Sequence, residues 1–89
     1  MTAAPELSVV TVEDILEQST LVLWNDEVNT IDDIILALRM VMDFGQEQAE
    51  QLALLAHHRG KYPIKKGDLV LLMDYYELLS QYGLTMEIV

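Results

Sequence analysis

The sequence predicts an α+β fold, a small three-stranded antiparallel sheet packed against three helices in the order β-α-α-β-α-β, with a short N-terminal arm. Three observations predict it. The apolar run Leu21-Val22-Leu23-Trp24 stops abruptly at Asn25-Asp26-Glu27 and reads as a buried strand bounded by a turn. Two successive segments, ending at Gly45 and Gly60, carry apolar residues at helical spacing. The chain closes on Leu84-Thr85-Met86-Glu87-Ile88, whose period-two alternation suits a half-buried strand. With 89 residues and 52% hydrophobic composition there is room for one packed core and no second domain.

Taken in order, residues 1–19 form the arm and residues 20–89 the folded domain. The arm mixes small, polar and acidic residues, with Pro5 early and an apolar rhythm at Val9, Val10, Val12, Ile15 and Leu16. It reads either as a tail or as a short helix beginning near Thr11 or Val12. After the first strand, Thr30 is placed as an N-cap, and Asp32 and Asp33 put negative charge in the first turn, where the helix dipole favours it. The first helix then presents Ile31, Ile34, Ile35, Leu38, Val41 and Met42 as one stripe, and Gly45 is expected to end it in a left-handed cap.

The second helix runs from about Gln46 to His58, with Ala49, Leu52, Ala53, Leu55 and Ala56 on its buried side and Gly60 closing it. Lys61 to Lys66 alternates as a strand, and Pro63 confines that strand to an edge or an irregular position. Gly67-Asp68 then reads as a turn and N-cap opening a third helix from Leu69 to about Tyr82, terminated by Gly83. Its run Leu69-Val70-Leu71-Leu72-Met73 is apolar on every side. Either it is covered on two faces or part of it meets another protein.

Composition excludes several functions. Fifteen acidic against five basic residues give a net charge of -10, which repels a phosphate backbone, so nucleic acid is not an expected partner. Four of the five positive charges, Arg59, Lys61, Lys65 and Lys66, fall in one short segment: a solvated hairpin or a docking patch. Absent cysteine removes disulfides, redox motifs and the commonest structural zinc sites. No charged-then-apolar leader opens the chain, and its apolar runs fall far short of the roughly 20 residues a membrane helix needs. A cytoplasmic location with no membrane contact is therefore expected.

Chemistry narrows to two places. No activated nucleophile suggests itself among Ser8, Ser19 and Ser80, no deep polar pocket is apparent, and the ligands for zinc or calcium are too few. Neither catalysis nor a metal or other cofactor is expected. Asn25, Asp26 and Glu27 read either as a plain turn or as a rigid set of acceptors. His57, amid alanine and leucine, reads either as a structural imidazole or as a further acceptor. An amide oxygen, a carboxylate and a neutral imidazole together suit a protonated primary amine.

The segments Val22-Leu23-Trp24-Asn25-Asp26-Glu27, Ala49-Glu50-Gln51 and Ala56-His57-His58-Arg59-Gly60-Lys61 resemble the Asn-Asp-Asp and His-x-x-Gly-Lys pattern of ClpS, the adaptor of the bacterial Clp protease that recognises N-terminal degradation signals. The resemblance runs from about Leu21 to Val89. It implies a non-enzymatic adaptor that binds N-degrons beginning with Phe, Leu, Tyr or Trp. The substrate's α-amino group would be held by Asn25, Glu27 and His57, with Asp26 near the following peptide group. Its side chain would enter a pocket lined by Leu23, Asn29, Ile31, Ile34, Ala53, Ala56 and Leu84. The adaptor would then carry the substrate to the N-terminal domain of a Clp unfoldase, with the N-terminal arm assisting.

The sequence departs from the family's pattern in three respects. Glu27 replaces the second Asp, so its carboxylate reaches one methylene further. Ile31, Ala53 and Ala56 stand where the family commonly has Met, Met and Val, and the two alanines imply a roomier pocket floor that admits β-branched first residues. Leu69-Val70-Leu71-Leu72 replaces small and acidic residues, some of which touch the unfoldase in the family. That leaves an alternative reading, an interaction or regulatory domain that binds the unfoldase or itself, with weak self-association, and reads no degron.

Overall fold

The computed structural model describes residues 18–89. Its elements are strand β1 (Ser19–Trp24), helices α1 (Ile31–Met42) and α2 (Gln46–Arg59), strand β2 (Lys61–Gly67), helix α3 (Leu69–Gln81) and strand β3 (Thr85–Ile88). This is the expected order. Residues 1–17, the greater part of the expected arm, lie outside the described residues.

The sheet is antiparallel in the order β2-β1-β3, so the most apolar strand is central. Leu21 and Leu23 are fully buried in the core, with Ile34, Ala37, Leu38, Met42, Ala49, Ala53, Ala56, Leu72 and Leu79 packed in the same cluster. Val22 is also buried but lies outside that cluster, as alternation along a strand requires. The register between β1 and β2 shifts between Leu21 and Val22, and Pro63 pairs with Val22 beside that irregularity. Pro63 sits on an edge strand, where its missing N–H costs no inner ladder bond.

The helix starts follow their caps. Thr30 accepts from the Asp33 N–H at 3.1 Å while the Asp33 carboxylate accepts from the Thr30 N–H at 3.4 Å, a reciprocal box at the head of α1. Asp68 accepts from the Leu71 N–H at 3.0 Å and opens α3. One terminus differs from expectation: α1 ends at Met42, and the left-handed residue is Asp43, with φ 58° and ψ 29°. Asp tolerates this conformation better than most side chains. Gly45 is instead extended, with φ -68°, and serves as the N-cap of α2. Gly60, at φ 89°, does close α2, and its N–H donates to the Ala56 carbonyl at 2.9 Å.

Of the expected stripe on α1, Ile34, Leu38 and Met42 are buried and Ile31, Ile35 and Val41 half-buried. On α2 the buried residues are three alanines, Ala49, Ala53 and Ala56. On α3 only Leu72 and Leu79 are buried, and Leu69, Val70 and Met73 remain exposed. No helix among the described residues is long and apolar enough to cross a membrane.

Candidate functional site

The site is built on the turn that follows β1. The Asp26 carboxylate organises it: Oδ1 accepts from the N–H groups of Val28 at 2.9 Å and Asn29 at 2.8 Å, closing an Asx turn. Oδ2 accepts from Asn29 Nδ2 at 3.0 Å and from the Thr85 hydroxyl at 2.9 Å. Asn29 Nδ2 also donates to the Gly83 carbonyl at 2.7 Å. One carboxylate and one amide thus tie the turn after β1 to the loop before β3 and to β3 itself. Partial burial alone would raise the Asp26 pKa, but hydrogen bonds from the Asn29 backbone and side chain, Thr85 and the Val28 backbone outweigh it and lower the value.

With Asp26 engaged in this way, the outward-facing groups on the turn are its neighbours. Asn25 and Glu27 are both exposed. The Asn25 N–H donates to the Gly60 carbonyl at 2.8 Å, which fixes the end of β1 to the exit of α2. His57 stands in the last turn of α2, three residues before that carbonyl, and is exposed, with its ring edge-on to His58 at 5.4 Å between centroids. Folding therefore joins the Asn25 turn to the helix end that carries His57. Among the described residues no three His, Asp or Glu side chains form a metal-sized cluster.

The residues expected to line a side-chain pocket are packed together. Leu23, Ile34, Ala53, Ala56 and Leu84 all belong to the buried core cluster, with half-buried Ile31 against it. Asn29 is half-buried above, acting as the clamp already described. A separate shallow depression, lined among the described residues by Asp74, Glu77, Leu78 and Gln81 on α3, contains none of the expected site residues.

Two parts of this region escape sequence reasoning. Thr85 and Gly83 join the clamp from more than 50 residues away, and only the Asp-x-x-Asn spacing of Asp26 and Asn29 hints at a local turn. Trp24, which reads as the end of an apolar run, donates its indole N–H to Glu87 Oε1 at 2.9 Å, and Lys61 Nζ lies 4.7 Å from the centre of its ring. The lysine of the His-x-x-Gly-Lys segment is thus held against the last side chain of β1.

The fold is an α+β domain of one three-stranded antiparallel sheet and three helices, with an exposed polar turn after its central strand. The family model for the ATP-dependent Clp protease adaptor protein ClpS matches residues 16–87, and the chain belongs to that family. Among solved structures, the fold is similar to that of Agrobacterium tumefaciens ClpS2 bound to L-phenylalaninamide, with a TM-score of 0.74 and 14% identity over 81% of this chain and 96% of that one. No curated protein sequence matches the chain significantly.

Proposed function

We propose that this chain is a non-enzymatic adaptor that binds the free α-amino group and large apolar first side chain of N-degron substrates and hands them to the N-terminal domain of a Clp unfoldase. The observation that carries the reading is the bond from Asn25 to Gly60, which joins two exposed acceptors, Asn25 and Glu27, to the helix end bearing His57. Asn25, Glu27 and His57 accept from the ammonium group. Asp26, its carboxylate occupied by Asn29, Val28 and Thr85, fixes the turn beside the following peptide group. The first side chain lodges at half-buried Asn29 and Ile31, above Ala53 and Ala56, with Leu23, Ile34 and Leu84 behind them. The ligand in the similar ClpS2 structure, L-phenylalaninamide, has this combination of a free amine and an aromatic side chain, which supports the reading.

The magnitudes suit an adaptor that must release its cargo. Two or three hydrogen bonds to a charged group contribute roughly 1.5 to 3 kcal/mol each. A buried Leu or Phe side chain adds about 1.5 to 3 kcal/mol, and ordering offsets part of the sum. About 8 kcal/mol, micromolar affinity, is the expected result. One observation favours the alternative, a domain that binds the unfoldase or itself without reading a degron: Ala53, Ala56, Leu23 and Leu84 are closed into the core.

A peptide beginning with Phe and its N-acetylated copy separate the two. Acetylation removes the charge the three acceptors exist to hold, so calorimetric titration should give micromolar binding for the free amine and at least about a hundredfold weaker binding for the acetylated copy. Equal binding of both peptides, or of neither, rejects the adaptor mechanism.

A further inference from the structure

The turn that carries Asn25 and Glu27 leaves the end of the central strand, between the two edge strands. Bonds from the Val28 and Asn29 N–H groups to the Asp26 carboxylate shape that turn but stay within it, so they do not set its orientation over the sheet. Orientation comes from both sides. On the β2 side the Asn25 N–H donates to the Gly60 carbonyl at 2.8 Å. On the β3 side Thr85, which opposes Trp24 in the sheet, donates its hydroxyl to Asp26 Oδ2 at 2.9 Å, and Asn29 Nδ2 reaches the Gly83 carbonyl at 2.7 Å. The Thr85 bond has a charged acceptor, which makes it the stronger kind, and it holds the residue that separates Asn25 from Glu27. Thr85 is exposed and precedes buried Met86, so its hydroxyl has no packing role in the core.

We propose that Thr85 is a positioning residue for ligand binding: it touches no part of the substrate, but through Asp26 it sets where the Asn25 and Glu27 side chains stand relative to His57. The role rests on the reading of those three residues as the acceptors of an α-ammonium group. An ammonium group donates in fixed tetrahedral directions, so its acceptors must converge on one point. A turn free to swing on an exposed strand end would have to be ordered as the ligand binds, and that ordering weakens affinity. The Thr85 hydroxyl orders it beforehand. Without that hydroxyl, the remaining bonds to Asp26 all come from its own turn, and the tie to β3 and the loop before it is reduced to Asn29 and Gly83. The turn keeps its shape and loses its placement.

Thr85→Val tests this in the full chain, because it keeps the size and branching of the side chain at an exposed edge position and removes only the hydroxyl. The readout is the ratio of affinities for a Phe-initiated peptide and its N-acetylated copy, the first titrated directly and the second by competition. That ratio, at least about a hundredfold in the wild type, should fall about tenfold in Thr85→Val and return to within about threefold in Thr85→Ser. Partial unfolding would not move it, since a smaller competent fraction weakens both peptides alike. A second measurement needs no peptide. The Asp26 carboxyl is raised by partial burial and lowered further by its hydrogen bonds, that of Thr85 among them, so its NMR titration should shift upward in Thr85→Val and hold its wild-type position in Thr85→Ser. A wild-type ratio near one overturns the proposed function and this role with it. A wild-type ratio that Thr85→Val leaves intact overturns the positioning role alone, as does a serine variant that behaves like the valine one or an Asp26 titration unchanged by valine.

Discussion

Helices α2 and α3 are nearly equal in length and opposite in character. The first is the polar one, with sequence QEQAEQLALLAHHR, yet its apolar side is closed down to full burial of Ala49, Ala53 and Ala56. The second, LVLLMDYYELLSQ, is far more apolar and buries only Leu72 and Leu79. Hydrophobicity alone does not decide burial. Small side chains let α2 approach the sheet and α1 closely, so every one on that side is enclosed. In α3 the apolar residues encircle the helix, and a helix at the side of a three-stranded sheet has covering material on one side only. Its remaining apolar side chains are surplus to the core and available to a partner.

The comparison breaks most sharply if the alanine face of α2 has slack. Ala53→Leu should cost about 1 to 3 kcal/mol in a urea titration, because three added carbons must enter a close-packed interior. Ser80→Leu, at an exposed position on α3, should change stability by no more than about 0.5 kcal/mol. A near-neutral Ala53→Leu that also abolishes binding of a Phe-initiated peptide would sharpen the contrast differently: the alanines would then floor an open pocket, and the closed packing would describe only the free protein.

Because α3 has so few buried anchors, its position leans on polar clamps at its carboxyl end. Asp26 holds Thr85, and Asn29, itself held by Asp26, bonds the Gly83 carbonyl. Asp26→Ala removes the acceptor for Thr85 and Asn29, leaving the Asn29 bond to Gly83 unsupported, and should cost about 1 to 2 kcal/mol, with amide exchange rising in α3 and β3 more than in α2. The pH dependence has a definite sign. The folded-state pKa of Asp26 is lowered, so its contribution is present above the ordinary carboxylate value of about 3.9 and is lost as pH falls below that value through the folded one. Asp26→Asn should lack that part of the acid-induced loss. Identical acid transitions in wild type and variant would remove the clamp from the account.

Much of the fold was legible because its signals are local. Thr30 and Asp68 sit at caps that their own neighbours complete, the stripe on α1 repeats every three or four residues, and the missing N–H of Pro63 alone confines its strand to an edge or an irregular position, both of which the structure shows. What was illegible depends on residues distant in sequence or on near-equivalent choices. Asp43 and Gly45 are both able to end α1, and the short connection to α2 decided for Asp43 by using Gly45 as an extended cap. The acceptors Asn25 and Glu27 and the imidazole of His57 were recognisable as candidates from their chemistry. That Asp26 would be spent on Thr85, and that Trp24 would lie between Glu87 and Lys61, required the register of all three strands.

The smallest expected effect is the one that isolates what the surplus on α3 is for. Met73→Lys places a charge where 54% of the methionine is already exposed, so in dilute solution the urea midpoint should move by less than the equivalent of about 0.5 kcal/mol. Leu79→Ala, one face round the same helix and fully buried, should cost about 2 to 5 kcal/mol. If Met73→Lys instead destabilises the monomer by an amount comparable to Leu79→Ala, the exposed half of α3 contributes to the chain's own core. If it does not, selection on those side chains must act through something other than folding.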